Sequence, residues 1–482
     1  MKFVIILLLS WLTLVSSRVL KPSQDEFYDP PANLQNVPYG TILKSRITPG
    51  KLRSLYMPMN VNSWQILVKS KDNHNEPIAI MNTIIQPNNF DPEKVVVFQY
   101  AQDCCNFDCA PSYSIRYGAD MSTLYNQVET IPLQLVLDKG YTVVATDYQG
   151  PTSNFPGSKQ SGYSTLDTIR AITKSYNITG ISDKSKFILW GYSGGSVPVS
   201  WAAALIDEYP DIKHQVLGAI VGGMLTNLTS AAVNNEGSIH AGLVATTIAG
   251  LMKQNPKFNE IIQSEITNEQ YEELLYAQNH CLIPIIYHFM WHKFFTGLGK
   301  KQWSKSGYGI FANEILTKMI NENTVALNEE LPVPKIPIFL YHGQNDEVLP
   351  WSDTKLVYDN WCDWGAESVE FFSDQLSGHI TGLLTSSPAV VKWMMNRFSG
   401  IEPVKGCHRI DKYTFLSYPG SGPEILNYLT SVGKCLLGIR VGPSDDYFLK
   451  QFSSAVKFWT TSLGIPGLSF KVLTNMFADL NS

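Results

Sequence analysis

A glycine-flanked serine is the feature that most constrains how this chain can fold. The pentapeptide Gly191-Tyr192-Ser193-Gly194-Gly195 follows an apolar run over residues 187–190 and precedes an Ala-rich apolar stretch over residues 196–209. A serine placed between a strand and a helix in this way sits on a sharp turn, and glycines two positions away let neighbouring backbone approach closely. A structural Gly-rich turn is the alternative explanation. The strand–turn–helix context favours a nucleophilic serine at Ser193.

The rest of the chain alternates β-like and helix-like segments. Apolar runs predicted as strands lie at 64–68, 77–85, 95–100, 141–146, 187–190, 216–221, 336–341 and 369–372. Helix-like stretches lie at 121–139, 166–176, 196–209 and 387–398. This alternation predicts a parallel sheet with helices on both faces, in which ligand chemistry collects at the carboxyl ends of the strands. With the serine turn, it predicts the α/β class and an α/β-hydrolase fold.

The alternation stops between residues 225 and 330. Helix-like stretches fill that region at 240–252, 268–278, 284–295 and 312–320. We therefore expect a helical lid inserted between two strands, which would close over a site and exclude water from it. Its apolar segment Ile283–Trp291 either packs against the main domain or forms the wall of an apolar substrate pocket.

The expected domain organisation follows from these patterns. Residues 1–17 are a signal peptide, 18–224 and 331–400 form the hydrolase core, 225–330 form the lid, and 401–482 form a C-terminal flap and tail. The segment before about residue 59 is Pro-rich and polar, and we expect it to be an extended arm. Beyond residue 406 the pattern is less regular, and the loop Tyr418–Pro423 is the candidate flap.

The acid partner of the serine is expected just past a late strand, because this fold places Ser, then Asp or Glu, then His along the chain. Asp346 lies in the loop that follows the strand predicted at 336–341, and its neighbour Glu347 is the competing candidate. A turn-forming aspartate is also compatible with such a polar loop. The assignment of Asp346 therefore depends on a suitable histidine further along.

Of nine histidines, His379 combines the right order with the right context. It ends a Ser-Gly-His tripeptide directly after the strand predicted at 369–372. His408 is the alternative, but it adjoins Cys407 beyond the final predicted helix. His342 lies close to the acid in sequence, and we expect it to pack at the end of its strand.

These residues predict nucleophilic catalysis. Ser193 attacks an acyl carbon, His379 accepts its proton and later protonates the leaving alcohol, and Asp346 orients the imidazole. The oxyanion needs two preorganised donors, for which we predict the N–H groups of Gly194 and of Asp103, in the loop after an early strand. A plain turn residue is the alternative for Asp103. This chemistry requires no metal and no organic cofactor.

The N-terminus predicts secretion. Lys2 is followed by the apolar run Val4–Val15 and by small residues up to Ser17, which is the pattern of a cleaved signal peptide. The run is too short to span a membrane, and no later segment of 18 or more apolar residues occurs, so we expect no transmembrane segment. Two glycosylation sequons, at Asn177 and Asn227, fit an extracellular protein.

Seven cysteines are informative in a secreted chain: Cys104, Cys105, Cys109, Cys281, Cys362, Cys407 and Cys435. Their spacing matches no convincing zinc site, and no histidine stands near the first three. Disulfides are the favoured interpretation, although the spacing does not reveal which cysteines pair. The odd count leaves at least one thiol unpaired or paired between molecules.

Charge excludes one class of partner. Charged residues make up 16% of the chain, the formal net charge is −5, and the sequence contains no basic cluster. Nucleic-acid binding therefore has no electrostatic basis here, and we expect none.

Several motifs together resemble the secreted, Candida-type lipase family of yeasts. They are the pentapeptide Gly191–Gly195 with the following Ser196, Tyr341-His342-Gly343 with Asp346, Gly378-His379, the stretch from Asp108 to Tyr113, and Asp147-Tyr148 with Gly150-Pro151. The resemblance spans most of the chain after about Arg18. It implies triacylglycerol lipase activity with broad esterase and some acyl-transfer activity, an α/β-hydrolase core, a helical lid and a C-terminal flap.

The same resemblance implies roles for particular residues. It places the oxyanion aspartate at Asp103 and implies the disulfides Cys109–Cys281 and Cys362–Cys407. The first of these would tie the lid to the core. Cys104, Cys105 and Cys435 would remain unpaired.

We therefore expect an extracellular, monomeric triacylglycerol lipase that acts on lipid at lipid–water interfaces. Three alternatives remain open at this point: an esterase of short or soluble esters, a serine peptidase of the same fold, and a non-catalytic adhesion or binding module. A peptidase would need charged groups that recognise a peptide terminus. A non-catalytic module would be expected to lack one of the three residues above.

Overall fold

One large sheet organises the protein in a computed structural model, which describes residues 19–297, 302–325, 327 and 332–443. The signal peptide predicted at 1–17 lies outside the described residues. The strands are β1 (Ile42–Ile47), β2 (Arg53–Ser54), β3 (Met57–Pro58), β4 (Asn62–Lys71), β5 (Pro77–Gln86), β6 (Lys94–Gln99), β7 (Thr142–Thr146), β8 (Lys186–Tyr192), β9 (Val216–Gly222), β10 (Ile338–Gly343), β11 (Ser368–Asp374) and β12 (Gly406–Lys412).

The α-helices of the described residues are α1 (Pro111–Ser114), α2 (Leu124–Val128), α3 (Thr130–Asp138), α4 (Ser158–Ile172), α5 (Tyr176–Thr179), α6 (Ser196–Leu205), α7 (Pro210–Lys213), α8 (Leu228–Asn235), α9 (Gly242–Gln254), α10 (Pro256–Glu265), α11 (Asn268–Asn279), α12 (Leu282–Phe289), α13 (Glu314–Asn321), α14 (Trp351–Asp363), α15 (His379–Thr385), α16 (Ser387–Phe398) and α17 (Gly422–Leu436). Short 3-10 helices lie at Pro22–Gln24, Glu26–Tyr28, Leu34–Asn36, Phe107–Cys109, Met121–Thr123, Ser193–Gly195, Ile206–Glu208, Gly307–Ala312 and Phe415–Ser417.

The main sheet has ten strands in the order β1-β4-β5-β7-β6-β8-β9-β10-β11-β12. From β7 to β12 all neighbours are parallel, whereas β1, β4 and β5 add antiparallel strands at one side. Crossover helices cover both faces of the parallel part, which explains why its strands are apolar on both sides. The predicted α/β class is confirmed.

Strand β6 shows how the sequence divides between two cores. Val95 and Val97 belong to the core under α4 and α6, whereas Val96 and Phe98 belong to the core under α3 and α16. Alternate residues of a strand point to opposite faces, so a run of large apolar residues is stable only when both faces are covered. Such a strand lies deep in the sheet, and its carboxyl end is held rigidly.

The region after residue 400 differs from the expectation of an irregular tail. Residues 406–412 form β12, which pairs parallel with β11, and a disulfide joins Cys407 to Cys362. The strand is largely exposed and reads Gly-Cys-His-Arg-Ile-Asp-Lys, so it lacks the apolar run that reveals a buried strand. Tyr418, in the loop expected to be a flap, is buried and donates a hydrogen bond to Glu370.

The N-terminal arm also contributes to the sheet. Residues 42–47 form β1, which pairs antiparallel with β4, where only an extended arm was expected. Its burial pattern is mixed, as befits a strand at the edge. Tyr28, earlier in the arm, is buried and hydrogen-bonded to Ser112.

The residues between β9 and β10, here called the helical insert, form helices α8 to α13, and no strand occurs among the insert residues that the structure describes. The insert has its own apolar core, which includes Phe289, Phe294 and Trp303. Asparagine side chains begin several of its helices by accepting backbone N–H groups, as Asn255 does for α10. No helix in the described ranges combines the length and apolarity that a membrane crossing requires.

Both disulfides implied by the resemblance are present. Cys109–Cys281 joins the core to the helical insert across 172 positions of sequence, and Cys362–Cys407 ties β12 to α14. Cys104, Cys105 and Cys435 are free and buried.

Two buried carboxyl groups outside the serine site predict how stability depends on pH. Burial raises the pKa of Asp147 to about 7 and that of Asp167 to about 6, from an ordinary value of 3.8. A raised carboxyl pKa means that the unfolded chain loses the proton first. The contribution of these two groups to the free energy of unfolding is therefore complete below about pH 4, and it is lost progressively as the pH rises to about 6 to 7.

We accordingly expect the thermal midpoint to be lower at pH 8 than at pH 5, measured by circular dichroism across that range. In the variant Asp147→Asn the loss should be smaller, because the amide stays neutral and still accepts the Ser112 N–H that Asp147 accepts at 2.9 Å. An unchanged pH slope in that variant would show that Asp147 does not ionise in this range.

Candidate active site

Strand β8 delivers Ser193 to the carboxyl edge of the sheet, and α6 begins three residues later. The serine has φ +52°, the strained conformation expected of a nucleophile turn. A Cβ on Gly191 would lie 2.0 Å from the carbonyl oxygen of Gly195, and a Cβ on Gly195 would lie 2.0 Å from that of Gln99. Both glycines are therefore required by close backbone contact, which is why the pentapeptide carries them.

Ser193, His379 and Asp346 form a chain of hydrogen bonds. Ser193 Oγ lies 2.8 Å from His379 Nε2, and His379 Nδ1 lies 2.7 Å from Asp346 Oδ2. The carboxylate only accepts, so Nδ1 carries a hydrogen, and Nε2 is left as the acceptor for the serine hydroxyl. The side chains of Asp346 and His379 are 0% and 4% exposed. In this tautomer His379 can take the proton of Ser193.

The Asp346 carboxylate is held from both sides. Its Oδ1 accepts the N–H groups of Val348 at 2.9 Å and Leu349 at 2.8 Å, and its Oδ2 lies 3.1 Å from His342 Nε2 as well as near His379. Burial by itself would raise the pKa of Asp346, but His379 and His342 lower it well below its usual range. Asp346 therefore remains ionised in the folded protein at neutral pH.

His342 has a part in the site that the sequence did not reveal. It is fully buried at the end of β10, as expected for a residue packed at a strand end. Its Nε2 faces two acceptors, the carbonyl of Leu349 at 3.1 Å and Asp346, while Nδ1 lies 2.7 Å from the hydroxyl of Thr354. Nε2 must therefore carry the hydrogen, and His342 donates to the same carboxylate as His379.

The loop that carries His379 is shaped by a buried aspartate. Asp374 accepts four hydrogen bonds, from the N–H groups of Leu376, Ser377 and Phe415 and from the hydroxyl of Ser377. On the other side, the hydroxyl of Tyr192 donates to the carbonyl of His379 at 2.7 Å. The imidazole is thus fixed through its backbone, and neither of these two partners was expected from the sequence.

The two alternative residues occupy other places. Glu347 Oε2 accepts the backbone N–H of His379 at 3.0 Å and does not contact the imidazole ring as Asp346 does. His408 lies on β12, at the exposed edge of the sheet. Neither is positioned to act on Ser193.

Asp103 and Gly194 lie together beside Ser193, where they line one cavity. Asp103 has φ +47°, and its Oδ1 would be 1.7 Å from a Cβ on Gly194, so only glycine fits there. This Oδ1 is buried and has no hydrogen-bond partner among the described residues. Burial raises the pKa of Asp103 to about 7, although His379 lowers it.

A second buried acid, Glu129, lies behind this loop. It is fully buried, and its Oε2 accepts the N–H of Ala101 at 2.9 Å. Burial and the charge of Asp103 raise its pKa well above the ordinary value. Nothing in the local sequence of Glu129 indicated its contact with Ala101, because Glu129 and Ala101 are 28 positions apart.

The cavity beside Ser193 is apolar and faces the helical insert. Most of its wall comes from α8, α9 and the loop before α8: Leu225, Leu228, Ala231, Ala232, Leu243 and Val244. Val348 and Leu349, in the loop after Asp346, also line it. A second apolar cavity shares Leu228, Ala232, Val244 and Thr247 with the first and continues toward Phe258 and Leu316. Each has a volume of about 40 Å³.

The segment Ile283–Trp291 does not form this wall. Ile285 and Phe289 pack in the core of the insert, whereas Tyr287 and Trp291 are exposed. Its buried half therefore packs in the core of the insert, and α12 also contacts the main domain at residues 121–128, so packing against the main domain holds in part. Of the two sequons, Asn177 is exposed on α5, and Asn227 is half-buried and begins α8 by accepting the N–H of Ser230 at 3.0 Å.

Known proteins resemble this chain over most of its length. "Lipase 5" and "Lipase 4" of Candida albicans are 40% and 39% identical over 426 and 425 residues, which is 88% of this chain in each case and 91% and 92% of the relatives. A crystal structure of Candida antarctica lipase A in its closed state superimposes with a TM-score of 0.75 at 23% identity, covering 88% of this chain and 99% of that one. That likeness shows the α/β-hydrolase fold.

A family model described as "Secretory lipase" matches residues 115–406, which contain Ser193, Asp346 and His379. The match covers more than half of the chain and agrees with the full-length similarity to the Candida albicans proteins. The chain therefore belongs to the secretory lipase family.

Proposed function

We propose that this protein is a secreted triacylglycerol lipase that cleaves ester bonds through an acyl-enzyme intermediate on Ser193. The observation that carries the proposal is the hydrogen-bonded chain Ser193–His379–Asp346, whose serine lines an apolar cavity. The Candida albicans lipases that are 40% and 39% identical to it over most of its length support the choice of substrate class.

In the first half-reaction, Ser193 Oγ attacks the acyl carbon while its proton passes to His379 Nε2. The tetrahedral intermediate collapses, the bond to the glycerol oxygen breaks, and His379 gives its proton to that oxygen. Water then attacks the acyl-enzyme with His379 again as base, and the fatty acid leaves. Asp346 stays ionised throughout and stabilises the imidazolium.

The developing oxyanion is stabilised by donors beside Ser193. We assign this role to the backbone N–H groups of Gly194 and Asp103, which line the same cavity as the serine. Removing one donor of this kind typically costs about 3–4 kcal/mol of transition-state stabilisation. The requirement for glycine at 194 fits the role, because any side chain would displace Asp103.

The helical insert acts as a lid in this proposal. The two linked cavities measure about 40 Å³ each, which is room for a few water molecules at about 10–15 Å³ each and not for a long acyl chain. A fatty acyl chain therefore enters only if the insert shifts, and we expect α9 to move away from α8, whose end stays on the loop after Asp346. The exposed Tyr287 and Trp291 give the outer face of the insert an amphipathic character that suits a lipid–water interface.

The other functions receive less support. A peptidase needs a charged group to bind a peptide terminus, and Asp103 is the only charged residue among the described residues that line the cavity. An esterase of short soluble esters does not need the second cavity. A non-catalytic module does not need the tautomer and the buried carboxylate that the site maintains.

A substrate panel tests the proposal. We expect emulsions of long-chain triacylglycerol to release fatty acid, measured by titration, and peptide substrates to remain intact. The variant Val244→Trp fills the apolar cavity, so it should lower long-chain hydrolysis by about tenfold or more while a soluble butyrate ester is hydrolysed almost as before.

The matched control is Val233→Trp, the same substitution at an exposed position of α8. It should leave both activities close to wild type. Cleavage confined to short esters or to peptides would contradict the lipase assignment, and an equal loss on both chain lengths in Val244→Trp would contradict the acyl cavity.

A further inference from the structure

Two asparagines at the end of α8 connect the helical insert to the loop that follows Asp346. Asn234 Nδ2 donates to the carbonyl oxygens of Glu347 at 3.0 Å and Val348 at 3.1 Å. Asn235 Nδ2 donates to the same Val348 carbonyl at 2.8 Å and to that of Ala231, one turn back in α8, at 2.7 Å. The contact joins parts of the chain that are 113 positions apart.

The carbonyls that accept these bonds belong to the peptide groups that hold Asp346. The carbonyl of Glu347 and the N–H of Val348 form one planar unit, as do the carbonyl of Val348 and the N–H of Leu349. In both units the oxygen is bound by the insert, while the N–H donates to Asp346 Oδ1, at 2.9 and 2.8 Å. Because the unit is rigid, fixing its oxygen fixes the direction of its N–H. Each bond also polarises the other.

We propose that Asn234 and Asn235 are positioning residues, through which the helical insert holds the Val348 and Leu349 N–H groups on Asp346. The inference rests on the function proposed above, since it matters only if Asp346 supports His379 in catalysis. It gives the insert a second task besides covering the site, because the acid of the triad is aligned only while α8 is seated.

Ordinary helix capping does not account for these contacts. Asn234 is exposed, so the core does not need its side chain. Asn235 is buried, and its Oδ1 has no hydrogen-bond partner among the described residues, which is unfavourable in a residue that serves only to end a helix. Glu347 strengthens the connection, because its carboxylate accepts the backbone N–H of His379 at 3.0 Å.

The variants Asn234→Ala and Asn235→Ala test the proposal on a soluble short-chain ester. We expect kcat to fall by roughly 10-fold to 100-fold with KM changed less than about twofold, because a small misalignment of a catalytic group slows the chemical step without weakening substrate binding. Asn234→Ala is the variant least exposed to folding artefacts, since its side chain lies at the surface. Thermal midpoints are measured alongside.

The matched control is Asn279→Ala, which removes an amide that donates at 3.0 Å to the carbonyl one turn back in α11. A wild-type kcat in Asn234→Ala and Asn235→Ala, a rise of KM alone, or an equal loss in Asn279→Ala would each overturn the proposal. Ser193→Ala run in parallel separates the two hypotheses. If it stays active, the proposed mechanism is wrong, whereas if it is inactive while both asparagine variants are normal, only the positioning role is wrong.

Discussion

Replacing Ser193 by alanine is expected to lower kcat for ester hydrolysis by about 10⁶-fold, because the substitution removes the atom that forms the acyl-enzyme. The oxyanion donors and substrate binding remain, so a residual rate of about 10³–10⁴ over water should persist. The measurement is initial-rate hydrolysis of a soluble ester. The thermal midpoint should change little, because serine and alanine both carry a Cβ and therefore have similar backbone strain at φ +52°.

The control for this variant is Ser200→Ala. Ser200 is also buried on the same stretch of chain, but its hydroxyl donates to the carbonyl of Ser196 within α6 and does not face His379. Its removal should leave kcat within a few-fold of wild type. Activity of Ser193→Ala within tenfold of wild type would mean that a different group is the nucleophile.

The parallel centre of the sheet could be predicted from the sequence because burial on both faces leaves a strong signal. Strands β6 to β11 contain apolar runs such as Val95 to Phe98, which are typical of strands covered on both faces. The order of motifs along the chain then placed Ser193, Asp346 and His379 at carboxyl ends of such strands. These expectations depend on composition over a few neighbouring residues.

The edges of the sheet could not be predicted in the same way. Strands β1 and β12 are partly exposed, and β12 has Ile410 as its only large apolar residue, so its local sequence resembles a loop. What makes β12 a strand is a partner strand and the disulfide to Cys362, both of which are properties of the folded chain. Edge strands are commonly polar for this reason.

The supporting residues of the site were missed for a related reason. His342 was expected only to pack, yet it donates to Asp346, and Asp374 organises the loop of His379 through four hydrogen bonds. Asn234 reaches the acid loop from the insert. No local motif marks any of these contacts, because each depends on how distant segments are brought together.

The variant Asp346→Asn should lower kcat by about 10⁴-fold, because an amide in place of the carboxylate can hold His379 with its hydrogen on the wrong nitrogen and no longer stabilises the imidazolium. The matched control is Glu347→Gln. Its side-chain oxygen still accepts the N–H of His379, so kcat should fall by less than about tenfold. Hydrolysis of a soluble ester compares the two variants at one pH near neutrality.

A larger loss in Glu347→Gln than in Asp346→Asn would make Glu347 the acid of the triad. The geometry argues against that result, since the 2.7 Å contact to the imidazole belongs to Asp346 and Glu347 contacts only the backbone.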